Sequence, residues 1–188
     1  ALQAELAKQS ALGEPVRALL DLKPAKAATK RWGWVKKGAP IVIEVGGRDV
    51  AGGNVSVIRR DRLYREDGKL DSAVTPRADF VDAVSGMLAE IQTGLHVESM
   101  DRLKANIAPV SDFADLEAHF ADSVKNPGWV DVRWSKPTGA ALDTVVERLK
   151  ALKLTIRNAP LGQTGADHGP CIFTGEPAVE RVLIGRAY

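Results

Sequence analysis

The stretch Lys30 to Asp61, KRWGWVKKGAPIVIEVGGRDVAGGNVSVIRRD, constrains this chain more than any other. Ile41, Val42, Ile43 and Val45 form a short apolar run entered through Pro40, and Val55, Val57 and Ile58 form a second. Both have the β-branched chemistry of strands. Between them, Gly46-Gly47-Arg48-Asp49-Val50-Ala51-Gly52-Gly53 holds four glycines in eight residues. Glycine allows positive φ and aspartate can bond a nearby backbone N–H, so the pattern predicts the turn of a hairpin rather than a helix.

The charges of this region set it apart. From Lys23 to Arg65 there are eleven lysines and arginines against Glu44, Asp49 and Asp61, a local net of +8 in a chain whose total is +2. The remaining residues therefore sum to −6, and such asymmetry is the footprint of a surface that faces phosphate. Trp32 and Trp34 interleave the cations, and an indole beside cations can stack on an unpaired base. The competing reading makes the tryptophans core and the charges a solvated face. Residue types alone leave both open.

The order Lys30, Trp34, Lys37-Gly38-x-Pro40, then Ile43-Glu44-Val45-Gly46-x-Arg48-Asp49, then Arg59-Arg60-Asp61, resembles the anticodon-binding domain of prolyl-tRNA synthetase, a class II aminoacyl-tRNA synthetase. It is similar to the archaeal and eukaryotic form, in which a small extra domain ends the protein. The closing residues resemble that ending: Gly169-Pro170-Cys171-Ile172-Phe173-Thr174-Gly175-x-Pro177-Ala178, then a strand reaching Tyr188. Two separated matches in the right order are more specific than either alone, and together they span essentially the whole chain. The resemblance implies an α/β fold, a mixed sheet covered by helices whose first strand would lie before Ala1, followed by a small α+β terminal domain. It places the class II catalytic domain upstream, consistent with a chain that starts at Ala1 without methionine.

What the resemblance implies for function follows. The full-length enzyme would be an ATP-dependent ligase using Mg, working in the cytoplasm as a homodimer and joining proline to tRNA(Pro). This stretch would bind the anticodon, with no catalytic residue and no cofactor of its own. Arg48 occupies a position where the family sets a basic side chain against anticodon guanines, and an arginine fork can reach O6 and N7 together. Lys30, Trp34, Lys36, Lys37, Arg59 and Arg60 complete the expected RNA-binding set, the lysines as phosphate contacts that fix position without reading sequence. Two positions depart: Val35 stands where many members have glutamate, and Val42 where many have arginine. Either the alignment shifts around Trp32-Gly33-Trp34, or these guanines are read by other side chains. In the family the last residue is a tyrosine whose carboxylate reaches toward the catalytic domain, so Tyr188 is expected to make that inter-domain contact. Relatives bind zinc in the terminal unit through cysteines that here fall at Ser135, Ala140, Asn158 and Cys171. Serine, alanine and asparagine cannot replace thiolates in a tetrahedral site, so no zinc is expected.

The 188 residues are 45% hydrophobic and 27% charged, an ordinary globular balance. A single cysteine excludes an internal disulfide framework. No apolar run approaches the roughly 20 residues of a membrane span.

Along the chain, the pattern predicts a helix over 1–10, a buried strand from Val16 to Leu22, and a short helical turn at 27–30. Residues 62–73 read as connection. Thr75-Pro76 supplies an N-cap and a first-turn proline for a long helix reaching Ala108, about 50 Å if unbroken, with Gly94 a place for a kink. Ser111 and Asp112 cap the next helix. Residues 1–108 thus read as the anticodon domain, 109–128 as a connecting helix and 129–188 as the terminal unit. In that unit Val130, Val132 and Trp134 alternate as a strand, 142–152 is a helix, 154–157 a strand, and Cys171–Thr174 is expected to pair with Arg181–Ile184.

No Walker-type loop, nucleophile pair or carboxylate pair stands out. A free-standing RNA-binding module of the same fold, a dimerisation domain and a self-contained enzyme are the competing readings, the last lacking any active-site constellation.

Overall fold

The computed structural model describes residues 1–122, 127–163 and 168–186. Contacts divide the chain into two compact units, Ala1–Ser99 and Met100–Tyr188.

In the first unit, α1 (Leu2–Leu6) and a two-residue ribbon, β1 (Ser10–Ala11) with β2 (Glu14–Pro15), precede α2 (Ala27–Lys36). Then come β3 (Ile41–Glu44), α3 (Gly47–Gly52), β4 (Asn54–Arg59), a 3-10 turn (Arg60–Arg62), β5 (Ala73–Pro76) and α4 (Arg77–Ala105). The sheet is antiparallel in the order β3-β4-β5, with Ile43 opposite Val57 and Val55 opposite Thr75. Strand alternation turns Val55 and Val57 of the central strand to one face. There they join Leu6, Phe80, Val81 and Val84 in one buried cluster. Burying Phe80 completely is worth about 2–3 kcal/mol over leaving it in water.

Several expectations change here, among them the helix over 1–10, which stops at Leu6 before the β1 ribbon, and the helical turn at 27–30, which runs on to Lys36. Residues 47–52 coil into a helix instead of turning directly, although the strands they join do pair as a hairpin. The reason is local: the Gly46 amide donates to Asp49 Oδ2 at 2.7 Å, which satisfies a first-turn amide. Gly53 at φ +68° then ends the turn. Val16 to Leu22 forms no strand: Val16 and Ala18 touch the core, but no ladder partner lies beside this stretch among the described residues, and Leu19, Leu20 and Leu22 are exposed. Thr75-Pro76 ends β5 instead of capping α4, because β4 offers the Val55 partner that Thr75 takes. Helix α4 runs 29 residues, continues through Gly94 without a break in its helical pattern and ends at Ala105. Its apolar stripe is buried at Phe80, Val81, Val84 and Ile91, while Leu95 and Leu103 are exposed.

The second unit contains β6 (Ile107–Pro109), α5 (Phe113–His119), β7 (Trp129–Trp134), α6 (Ala140–Ala151), β8 (Leu154–Asn158) and β9 (Glu180–Arg186). Its sheet, in the order β6-β7-β9-β8, is mixed: β6 is parallel to β7 and the other pairs are antiparallel. Asp112 caps α5 as expected, accepting from the Asp115 amide at 2.9 Å. Val130, Val132 and Trp134 alternate inward onto Leu116, Phe120, Val145, Leu149, Val182 and Ile184. β6 pairs with β7, and α5 delivers Leu116 and Phe120 to this core, so residues 107–120 pack within the second unit. Gly128 is required at its bend: its φ is +88°, and a Cβ there would meet the Asn106 carbonyl oxygen at 2.3 Å.

Cys171–Thr174 does not pair with β9. Both edges of β9 are already taken, by β7 and β8. The segment instead closes a tight turn, with Cys171 N–H donating to Glu176 O at 2.7 Å and Pro170 bridging Pro177.

Candidate nucleic-acid interface

The basic stretch is spread over α2, the β3-α3-β4 hairpin and the 3-10 turn, and its cations have different surroundings. Helix α2 is pinned to β3 by Arg31 Nη1 and Glu44 Oε1 at 2.7 Å. Its other side is held by Asp21. Trp34 Nε1 donates to Asp21 Oδ2 at 2.8 Å, and Lys30 Nζ donates to the Asp21 carbonyl at 2.6 Å. The indole hydrogen bond, followed by the Lys23 amide, holds the Asp21 carboxyl below the usual carboxylate range against a smaller opposing effect of burial. Lys37 Nζ sits 4.7 Å from the Trp34 ring centre, a cation on the indole face.

Arg59 is committed as well. Nε and Nη2 donate to Asp61 at 3.1 and 2.9 Å, and Nη1 donates to Glu90 Oε2 on α4 at 2.8 Å. The Arg59 hydrogen bonds hold the Asp61 carboxyl low, and the Asp61 carboxylate raises the Arg59 guanidinium in turn. With 11% of its side chain exposed, Arg59 ties the strand end to the helix and has no fork to offer a ligand.

The expected set therefore splits. Lys30, Trp34 and Arg59 are engaged within the protein and Lys37 lies on Trp34, while Lys36, Arg48 and Arg60 are exposed with no side-chain partner among the described residues. Two of these three gather at one end of the hairpin. The Arg60 amide donates to the Pro40 carbonyl at 2.9 Å, placing the 3-10 turn beside the α2–β3 junction where Lys36 closes its helix. Arg48, on α3, lies at the other end. The four-residue β3 separates the two ends by about 13 Å. Of the departing positions, Val35 is buried and Val42 is half-buried opposite Ile58 on β4. Tyr188 lies outside the described residues.

Two participants were missed from sequence: Asp21, read as one polar step of a strand, and Tyr64, read as part of a connection. Tyr64 meets Trp32, with ring centres 6.5 Å apart. The available signal was a lone aromatic inside the run Arg60 to Arg65.

In the second unit, Ser135 Oγ is 3.0 Å from Thr174 Oγ1 and both hydrogen-bond the buried Cys171 thiol. Burial pushes that thiol up, but the bonds from Ser135 and Thr174 and from nearby amides bring it below its ordinary value. Ala140 begins α6 and Asn158 ends β8. One thiol, hydrogen-bonded to hydroxyls, does not make a tetrahedral zinc site, and no group of three or more His, Cys, Asp or Glu side chains that could hold a metal occurs among the described residues.

The proline–tRNA ligase of Sphingomonas elodea is 69% identical over 188 residues, covering 100% of this chain and 37% of its own length. That of Sphingopyxis alaskensis is 59% identical, covering 100% of this chain and 35% of its own length. Among solved structures, prolyl-tRNA synthetase of Cryptosporidium parvum superposes with a TM-score of 0.74 at 20% identity, over 100% of this chain and 35% of that one. The Giardia lamblia enzyme gives 0.71 at 20% identity, over 100% and 37%. At that identity the structural likeness is one of fold. No protein-family model matches the chain. The chain spans little more than a third of the length of the curated relatives it matches. It belongs to the prolyl-tRNA synthetase family, matching the C-terminal part of its members.

Proposed function

We propose that this chain is the tRNA-binding portion of a proline–tRNA ligase, and that the whole protein joins proline to proline tRNA in the cytoplasm as a homodimer, with ATP and Mg held by an upstream catalytic domain. The observation that carries the binding role is the cationic face left solvated by the fold: Lys36 and Arg60 at one end of the hairpin and Arg48 at the other. Arg48 reads anticodon guanines by its fork, because an exposed guanidinium on a short rigid helix can donate twice to O6 and N7. Lys36, Lys37 and Arg60 hold phosphates. Lys30, Trp34 and Arg59 support the face from behind by fixing α2 and the strand end.

The test is binding of proline tRNA to the 188-residue chain across a salt series. The logarithm of affinity should fall linearly with the logarithm of salt, by about 0.7–0.9 for each neutralised phosphate. Lys36→Ala should reduce that slope by about one and weaken all tRNAs about equally. Binding that is absent, or indifferent to salt, sinks the reading.

A further inference from the structure

Four tryptophans occur in the chain, and the structure treats the two of α2 in opposite ways. Trp34 has its N–H bonded to Asp21 and its face under Lys37. Trp32, two residues earlier, is 45% exposed, and its ring meets that of Tyr64, which is 53% exposed, at 6.5 Å and an interplanar angle of 46°. The other aromatic pairs among the described residues, Phe113–Phe173, Trp134–Phe173 and His119–Phe120, lie in the second unit and each includes a residue of its core or one packed on it. Two large rings that meet at a tilt, each about half exposed, leave adjoining aromatic surface open to a partner, and covering it is favourable.

We propose that Trp32 and Tyr64 form a stacking platform for an unpaired RNA base, an inference that rests on the tRNA-binding reading and adds to it the contact that grips a base rather than a phosphate. Both rings are mounted on fixed backbone. Trp32 follows Arg31, whose ion pair with Glu44 holds α2 on the sheet. Tyr64 bridges Leu70 in a loop closed by Asp71 N–H to the Leu63 carbonyl at 2.8 Å and by Arg65 N–H to the Lys69 carbonyl at 2.9 Å. The surroundings select the occupant. Lys36 is one helical turn beyond Trp32 and shares its face. Arg60 and Arg62 are exposed on the 3-10 turn just before Tyr64, and Arg65 follows it. Aromatic faces among cations suit a nucleotide, whose base stacks while the phosphates on either side meet positive charge. An apolar protein surface would have to desolvate those same cations without pairing them.

The experiment uses the 188-residue chain, a proline tRNA transcript and a short single-stranded oligoribonucleotide, with tryptophan fluorescence and affinity read over a salt series. Trp32→Ala and Tyr64→Ala should each weaken oligoribonucleotide binding about tenfold while leaving the salt slope of the parent chain, because stacking neutralises no phosphate. Trp32→Phe should keep most of the affinity yet lose most of the fluorescence quenching on binding. Both residues are exposed, so unchanged circular dichroism and melting temperature will show that the fold is intact. If the parent chain binds RNA with a steep salt slope but both alanine variants match it in affinity, the platform is wrong and the tRNA-binding reading stands. If the parent chain shows no salt-sensitive RNA binding, both fall together. If Trp32→Ala instead abolishes self-association and leaves RNA affinity untouched, the rings cover a second copy of the chain and the proposal is overturned.

Discussion

Arginine is used in two ways in the two units. In the second, Arg181 grips Asp131 at 2.9 and 3.0 Å, Arg186 donates to the Phe120 and Asp122 carbonyls, Arg133 to the Ser111 carbonyl and Arg157 to the Arg186 carbonyl. Arg148 stacks on Phe113 with its guanidinium carbon 3.4 Å from the ring centre. In the first unit Arg31, Arg59 and Arg77 are likewise tied, to Glu44, to Asp61 with Glu90, and to Glu5. Arg48, Arg60 and Arg62 are exposed without such partners among the described residues. The difference follows from the architecture around them. A four-stranded sheet with helices and long loops closing on one core leaves strand-end and loop carbonyls that need donors, and five guanidinium N–H groups supply them. In the first unit the long helix α4 satisfies its interior carbonyls within its own turns, and the surplus cations of the hairpin stay in water, where a polyanion can reach them.

The largest test of that division is Leu116→Ala, which empties the centre of the second core. It should lower unfolding free energy by about 2–5 kcal/mol in urea titration. Under native conditions it should leave tRNA affinity within twofold, and a large loss of affinity would break the separation of roles. Arg48→Ala should cost about 1–3 kcal/mol of discrimination between cognate tRNA and one with altered anticodon guanines, with no change in melting temperature. Equal losses for both tRNAs would demote Arg48 to a phosphate contact.

Arg59→Ala should do the converse: about 1 kcal/mol of stability lost and tRNA discrimination kept. Its pH signature sharpens the point. Because Arg59 holds the Asp61 carboxyl low, the stabilisation is complete above the ordinary aspartate value of about 3.9 and disappears as pH falls through the depressed one. The variant should lack that acid-side loss, and parallel acid-unfolding curves for the two proteins would count against the clamp. The smallest expected effect concerns metal: a chelator should leave the melting curve unchanged, since a structural zinc would add folding free energy directly. One zinc per untagged chain by elemental analysis would reverse that assignment.

Local pattern carried much of the architecture. The β-branched runs at 41–45 and 55–58, the first half of the apolar stripe of α4, the Asp112 cap and the alternation through Val130, Val132 and Trp134 all appear where the residues place them. Sequence also sufficed for kinship and for the concentration of positive charge between Lys23 and Arg65. It could not say which cations face water. Lys30 and Arg59 look no different from Lys36 and Arg60 along the chain, yet Asp21 takes the first pair's lysine and Glu90, 31 residues from Arg59, helps take its arginine. Nor could pattern show that Cys171–Thr174 would find both edges of β9 occupied, or that Tyr64 would meet Trp32. Periodicity and capping act over a few residues and are written in neighbouring side chains. Ion pairs, edge occupancy and ring contacts depend on which distant segments the closed fold brings within a few ångströms, and that only the tertiary structure decides.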